Sequence, residues 1–418
     1  MQSENLQKIV ELRHFLHRNA ELSLHEAETG RILRDFLRRN TSLEIVERDG
    51  WFYGVKRGAR GELTSGELTS EVECAGDKML SQLSSQLTSE VECTEGETLL
   101  QLTSEVECAE AIAFRADMDA LPIEEGIELA YASEHPGVSH KCGHDGHCAA
   151  LCGLALELEG RETGRTVYFI FQKAEEIGGG GALAAELIEE KGIREIYAFH
   201  NLSGYPEKAV VYRRGLTQPA SEGMKILFFG RRSHASAPEE GCNPSEVISE
   251  TVLYIRELLE AEHRGMVLCT VTGMEAGSGD FGISAGEGSL SVTLRASEEE
   301  EMLALEGYIL AFVGERCEEK EIRTEVRISD RFPETRNWDA GVDRVLAAAE
   351  RIGAACVPME QMWRASEDFG HYLKKCGGAM FYVGNGEEWP ALHTAEYDFN
   401  DRILETAVDV LVGIAGVS

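Results

Sequence analysis

The sequence predicts an α/β protein: a mostly parallel central sheet with helices on both faces, interrupted by a small inserted α+β domain. Three observations carry this. Short apolar runs that end in chemically capable residues ("AIAFRADMD", "TVYFIFQKAEE", "EIYAFHN") alternate with helical stretches ("HDGHCAALCGLALELEG", "GALAAELIEEKG"), and strands alternating with helices pair in parallel. Near residue 218 the rhythm changes to strands ("MVLCTVTGME", "GSLSVTLRA", "EIRTEVRIS") around two long helical stretches ("NPSEVISETVLYIRELLEAE", "EEEEMLALEGYILAFVGERC"). From "NWDAGVDRVLAAAERIG" the first pattern returns and runs to a last amphipathic helix. The expected organisation is a discontinuous larger domain, 1–217 and 329–418, around an inserted domain at 218–328. A chain of 418 residues has room for two or three domains.

The remaining elements follow in order. "ENLQKIVELRHFLHRNAELS" places Leu6, Ile9, Val10, Leu12, Phe15 and Leu16 at helical spacing, "EAETGRILRDFLRRN" repeats the pattern, and "WFYGVKRG" reads as a short strand. Residues 61–110 differ in kind. "LTSEVEC" occurs at 68–74, 87–93 and 102–108, and the segment holds twelve acidic residues against one lysine. The copies are unevenly spaced, which argues against a stacked solenoid and for a low-complexity insertion. Its cysteines, Cys74, Cys93 and Cys108, are each preceded by glutamate, which disfavours a reactive thiolate.

Composition excludes several functions. The formal net charge is −34 and the isoelectric point is near 4.7, so nucleic acid and anionic membrane surfaces are repelled. No apolar run approaches the ~18 residues of a membrane span. The start, "MQSENLQKIVELRHFL", lacks a basic region followed by an apolar one, so no signal peptide is expected. Eleven scattered cysteines suit reduced thiols in the cytoplasm rather than a disulfide framework.

The densest chemistry is "HKCGHDGH", with three histidines, a cysteine and an aspartate between His140 and His147. Structural zinc sites use two pairs of ligands. Cys142 and His144 are too close for one such pair, and no second pair lies nearby. Further ligands must come from elsewhere, and Glu176, His200 and His393 are available. A thiolate, imidazole and carboxylate set favours zinc, manganese or cobalt. Cysteine and carboxylate groups can bridge two ions, which together polarise a carbonyl and activate water. In a parallel sheet, ligands gather beyond the carboxyl ends of the strands, where Asp117, Asp119, Glu175, Glu176 and His200 fall. Of the adjacent glutamates, one can bind metal while the other acts as general base. Gly178 to Gly181 lacks the Gly-Lys-Ser/Thr of a phosphate loop. In the inserted domain, His234 ("RRSHASAP") and Arg295 ("VTLRA") matter only if that domain closes over the site. Then His234 can stabilise an oxyanion and Arg295 can hold a carboxylate in a fork.

Taken together, "LRHFLHRNAELSLHEAET", "IAFRADMDALPI", "HKCGHDGHCAALCG", "QKAEEIGGGGA", "FHN", "GRRSHASAP", "SEDFGHYL" and "LHTAEYDFND" resemble the aminoacylase / hippurate hydrolase / auxin-conjugate amidohydrolase family of co-catalytic metallopeptidases. The resemblance covers nearly all of the chain outside 61–110. It implies a two-zinc exopeptidase-like catalytic domain and a ferredoxin-like lid that also forms a homodimer. It implies two divalent ions (zinc, manganese or cobalt) on Cys142, His144, Glu176, His200 and His393. Glu175 would be the general base, Asp119 would orient the site, His234 would reach the partner subunit's active site, and Arg295 would bind substrate. The implied substrate is a small N-acyl amino acid, with a dipeptidase or carboxypeptidase as the alternative. A binding or scaffold protein using the repeats is a further alternative from outside the enzymes. The chain departs from the family at Gly282 and Ala285, where an Asn and a Pro are usual in the lid. It departs also at Asn19, where proline is usual.

Overall fold

The computed structural model describes residues 1–58 and 111–416; the repeats and three thiols of 61–110 lie outside the described residues. Fourteen strands are described, and the eight of the larger sheet run β1(Glu44–Glu47), β2(Phe52–Lys56), β4(Val167–Gln172), β3(Ala111–Asp117), β5(Ile193–Ser203), β14(Gly377–Gly386), β6(Val210–Tyr212), β13(Cys356–Pro358) across it. The central four, β4-β3-β5-β14, pair in parallel, and antiparallel pairs flank them.

Side-chain alternation feeds two cores. Phe114, Phe169, Phe171, Phe199 and Phe381 point to one face, against helices Ser3–Arg18, His144–Leu158, Asp339–Arg351 and Leu404–Ala415. Ala113, Ile170, Ile196, Ala198 and Met380 point to the other. A sheet covered on both faces explains why these strands read as nearly continuous apolar runs. Helix His144–Leu158 is buried along its whole length, because it lies between the sheet and helices Ser3–Arg18 and Leu404–Ala415. The stretch 181–192, expected as one helix, is two short turns, Gly181–Ala184 and Glu186–Glu190. They meet at Ala185, whose carbonyl accepts the Ile188 N–H at 3.1 Å, a tightened turn.

The smaller sheet has the order β11(Arg323–Phe332), β8(Ala220–Phe229), β10(Glu287–Ala296), β9(Val267–Ala276), all antiparallel. With helices Pro244–Glu260 and Glu299–Glu319 this is the βαββαβ ferredoxin-like arrangement. The first helix starts where its sequence says it should: Asn243 Oδ1 accepts the Ser245 N–H at 3.0 Å, and Pro244 occupies the first turn. Met224, Ile226, Phe228, Leu290, Val292 and Leu294 bury against both helices. A two-stranded ribbon, β7(Gly215–Gln218) with β12(Thr335–Asn337), brings together the chain entering and leaving this unit. No described helix is long and apolar enough to cross a membrane.

Candidate metal centre and active site

The site forms where the parallel strands end. β3 ends at Asp117 and leads to Asp119. β4 leads through Ala174, at φ 54°, to Glu175 and Glu176. His200 lies within β5. The loop carrying Cys142 enters helix His144–Leu158 through Gly143 at φ 98°, a left-handed conformation that favours glycine. A side chain there would also meet Asn201 Oδ1 at 2.5 Å.

Two groups of three side chains share one sulfur. Cys142, His144 and His200 form one, and Cys142, Glu176 and His393 the other; within each, the donor atoms all lie within 4.8 Å of one another. Cys142 Sγ is 3.6 Å from His200 Nε2 and 3.3 Å from His393 Nε2. Outer contacts aim the rings. His144 Nδ1 donates to the Asp119 carbonyl at 2.9 Å, and His200 Nδ1 to the Asn201 carbonyl at 2.6 Å, which leaves each Nε2 facing inward. Asp119 Oδ2 accepts from Ser23 Oγ at 2.7 Å and from the Glu176 N–H at 2.9 Å, so one aspartate holds both an imidazole and a neighbouring carboxylate.

Several inward-facing atoms have no protein partner. His144 Nε2 and Glu176 Oε1 are buried with no hydrogen bond, 3.6 Å apart. Buried polar groups are ordinarily satisfied, and this donor set of thiol, imidazoles and carboxylate fits divalent cations. The local potential agrees. Burial disfavours a charged His144, but Asp117, Asp119 and Glu176 outweigh it and raise its pKa to about 10. Burial, with Glu176 and Glu175 nearby, pushes the Cys142 thiol well up. Burial is the larger cause for the thiol, but carboxylates contribute to both shifts, and they are buried negative charge that a cation would neutralise.

Glu175 is buried beside this centre, its Oε2 3.9 Å from His144 Nε2. Burial raises its pKa, and Glu367 and Glu176 raise it further. Arg295 arrives from the smaller sheet. It lines the same cavity of ≈ 380 Å³ as Cys142, Glu175, Glu176, His200 and His393, and its Nη1 donates to the Arg364 carbonyl at 2.8 Å and to Ser366 Oγ at 3.0 Å. The chain's own His234 is not brought there. It lies exposed on the loop after β8, with Nδ1 2.7 Å from Ser236 Oγ. Gly282 is its neighbour: the Ala235 N–H donates to the Gly282 carbonyl at 3.0 Å.

Sequence reasoning gave no role to several residues around the site. His147, in the same dense stretch, has both ring nitrogens occupied, by Asp117 at 2.6 Å and Asn201 at 2.7 Å. Arg115 is wholly buried and binds Asp117 at 2.6 Å and Asp368 at 2.8 Å, with Glu367 at 3.2 Å. Glu367 and Asp368 form a further cluster with Glu175. The available signal was an adjacent acidic pair, in "SEDF", of the same kind as Glu175 and Glu176. Trp363 lines the cavity too, and nothing in its spacing marked it.

Residues 113–416 match the pattern of peptidase family M20/M25/M40. The chain belongs to that family. Among its relatives, a hippurate hydrolase of Campylobacter jejuni is 28% identical over 312 residues, which span 73% of this chain and 80% of that protein. A thermostable carboxypeptidase of Saccharolobus solfataricus is 30% identical over 287 residues, spanning 67% and 72%. The fold is that of a Bacillus subtilis protein described as a dinuclear metal-binding peptidase of the M20 family. That match has a TM-score of 0.74 at 21% identity and covers 99% of this chain and 98% of the other.

Proposed function

We propose that this M20 protein is a metal-dependent amidohydrolase that cleaves an N-acyl amino acid, or a related small amide, into a carboxylic acid and a free amino acid. The observation that carries the proposal is the pair of metal-capable triads sharing Cys142, set beside buried Glu175 in a cavity that also holds Arg295. Cys142, His144, Glu176, His200 and His393 would hold two divalent cations, zinc, manganese or cobalt. When bound, such ions polarise the acyl carbonyl and acidify water.

The protein's own groups supply the rest. Glu175 takes the proton from the attacking water and delivers it to the departing nitrogen. A carboxyl group whose pKa is raised by burial suits both halves of that transfer. Asp119 fixes the tilt of His144 and the backbone of Glu176. Arg295 has two nitrogens beyond the Nη1 that binds the loop, and these offer a fork to the amino acid carboxylate. His234 supports the oxyanion from a second copy of the chain, in a homodimer formed through the ferredoxin-like unit at 218–328, which serves as lid. The catalytic unit is 1–217 with 329–418, and the location is the cytoplasm. The carboxypeptidase relative favours a second reading, cleavage of a peptide with a free C-terminal carboxylate, which would use Arg295 in the same way.

The test is amine release from N-acyl amino acids and dipeptides after reloading with manganese or zinc, for the native chain and for Glu175→Gln. The variant should keep its metal and lose turnover by about 10²–10⁴-fold. Full turnover in Glu175→Gln would overturn the assignment. Release from dipeptides alone would move the reading to the peptidase.

A further inference from the structure

The cavity has one feature that neither the metal triads nor the general base uses. Trp363 stands in the loop between β13 and the short turn Gly370–Leu373. Its ring meets His200 edge-on, with centroids 5.2 Å apart at 75°, and Tyr382 at 5.9 Å and 89°. It is half-buried and lines the cavity together with Phe332. The loop is tied down along its length. The Trp363 N–H donates to the Thr217 carbonyl at 2.9 Å. Arg295 holds the Arg364 carbonyl and Ser366 Oγ, and Ser221 Oγ pairs with Ser366 Oγ at 2.6 Å.

An indole fixed by such contacts is a preorganised surface, and covering it with an apolar group orders little that is not already ordered. The ring is in contact with His200, so the surface borders the point where the scissile carbonyl must sit. Arg295, at the polar end of the cavity, binds the same loop one and three residues later, at Arg364 and Ser366.

We propose that Trp363 determines substrate specificity: with Phe332 it forms an aromatic wall that selects substrates carrying an aromatic or bulky apolar group next to the scissile amide. This inference rests on the amidohydrolase reading for its reaction but not for its binding surface. Aromatic side chains bring both apolar area and geometric preference to such contacts, and a substrate group that fills an apolar pocket is favoured by about ten- to hundredfold over one that leaves it empty.

The test compares N-acetylglycine with N-benzoylglycine, which adds the ring on the acyl side, and with N-acetylphenylalanine, which adds it on the amino acid side. kcat/KM is measured on metal-loaded enzyme. Kd is measured by calorimetry on metal-loaded Glu175→Gln protein, so that binding is read without turnover. An advantage of about tenfold or more for either ring-bearing compound is expected. It should collapse in Trp363→Ala and return largely in Trp363→Phe. Which compound gains identifies the side of the amide that meets the indole. Equal treatment of all three compounds by the native chain, or an advantage that survives Trp363→Ala, overturns the proposal. Binding selectivity that depends on Trp363 without any hydrolysis would uphold it and overturn the reaction instead.

Discussion

Replacing Cys142 by alanine should cost the protein both metal ions, whereas replacing His393 should cost one. The difference follows from geometry. Cys142 Sγ is the only atom common to the two triads, 3.6 Å from His200 Nε2 and 3.3 Å from His393 Nε2. Without it, His144 and His200 remain as one pair of donors and Glu176 and His393 as another, and the group of three left at this centre, His144 with Glu175 and Glu176, would have to enlist the proposed base as a ligand. Zinc sites need at least three protein ligands to hold firmly, so neither pair is sufficient while Glu175 serves as base. In His393→Ala the first triad is untouched. Dialysed protein analysed by plasma mass spectrometry should therefore contain about two ions per native chain, about one in His393→Ala and close to none in Cys142→Ala.

Loss of structure is a separable explanation. Cys142 is a small buried side chain, and truncating it leaves a small cavity worth on the order of 1 kcal/mol, too little to unfold the chain. Thermal unfolding supplies a second reading. An ion that binds only the native state at a hundred times its Kd adds about 2.7 kcal/mol, so adding metal should raise the native Tm, raise that of His393→Ala less, and leave Cys142→Ala unmoved. Should Cys142→Ala retain as much metal as His393→Ala, the sulfur is not shared. Should both retain the native amount, the ligand set itself is wrong.

Two further outcomes are expected. Arg295→Ala should raise KM by about 10–100-fold, the worth of a charge-assisted hydrogen-bonded contact, while a substrate whose carboxylate is replaced by an amide should be handled equally by both proteins; equal damage to both substrates would mean that Arg295 only holds the Arg364 loop. His17 should make stability depend on pH. Burial lowers its pKa, but hydrogen bonds to Asp145 and Glu125 outweigh this and raise it from 6.5 to about 9. A pKa raised by folding contributes stability that is whole below pH 6.5 and lost as pH rises through about 9, roughly 3 kcal/mol here. The gap in urea midpoint between the native chain and His17→Gln should therefore be wide at pH 6 and narrow at pH 10, and a gap constant across that range would show that His17 does not carry this charge.

The sequence made the architecture legible because both of its periods are strong. Runs such as "VYFIFQ" and "IAFRAD" end in the residues that meet at the sheet edge, and βαββαβ follows from the order of elements between 220 and 332. The broken helix near Ala185 was not legible, since its boundary is set by one tightened turn and not by composition. The candidate ligands were visible because each stands in a dense or motif-like setting, and because cysteine and histidine, unlike glutamate, are uncommon in this chain. Their grouping into two triads was not, because Cys142, Glu176, His200 and His393 are brought together only by strand order and by a loop that holds His393 at φ 63°.

What stayed hidden is the layer beneath the ligands, and the reason is physical. Arg115 looks like any strand residue, yet it is one guanidinium among Asp117, Glu175, Glu367 and Asp368, all buried. Four carboxylates around a single cation would be costly to bury as charges, and the raised pKa of Glu367, about 8, reflects that burial together with neighbouring acids. Such balance depends on three-dimensional proximity between residues up to 253 positions apart, and neither periodicity nor local spacing encodes it. The same holds for Trp363, whose contact with His200 comes from the fold and not from its neighbours in the chain. A site of this kind is read from sequence in its reactive atoms and from structure in the groups that tune them, and the Arg115 cluster ties the two together: it grips Asp117, which aligns His147, and stands behind Glu175, the proposed base.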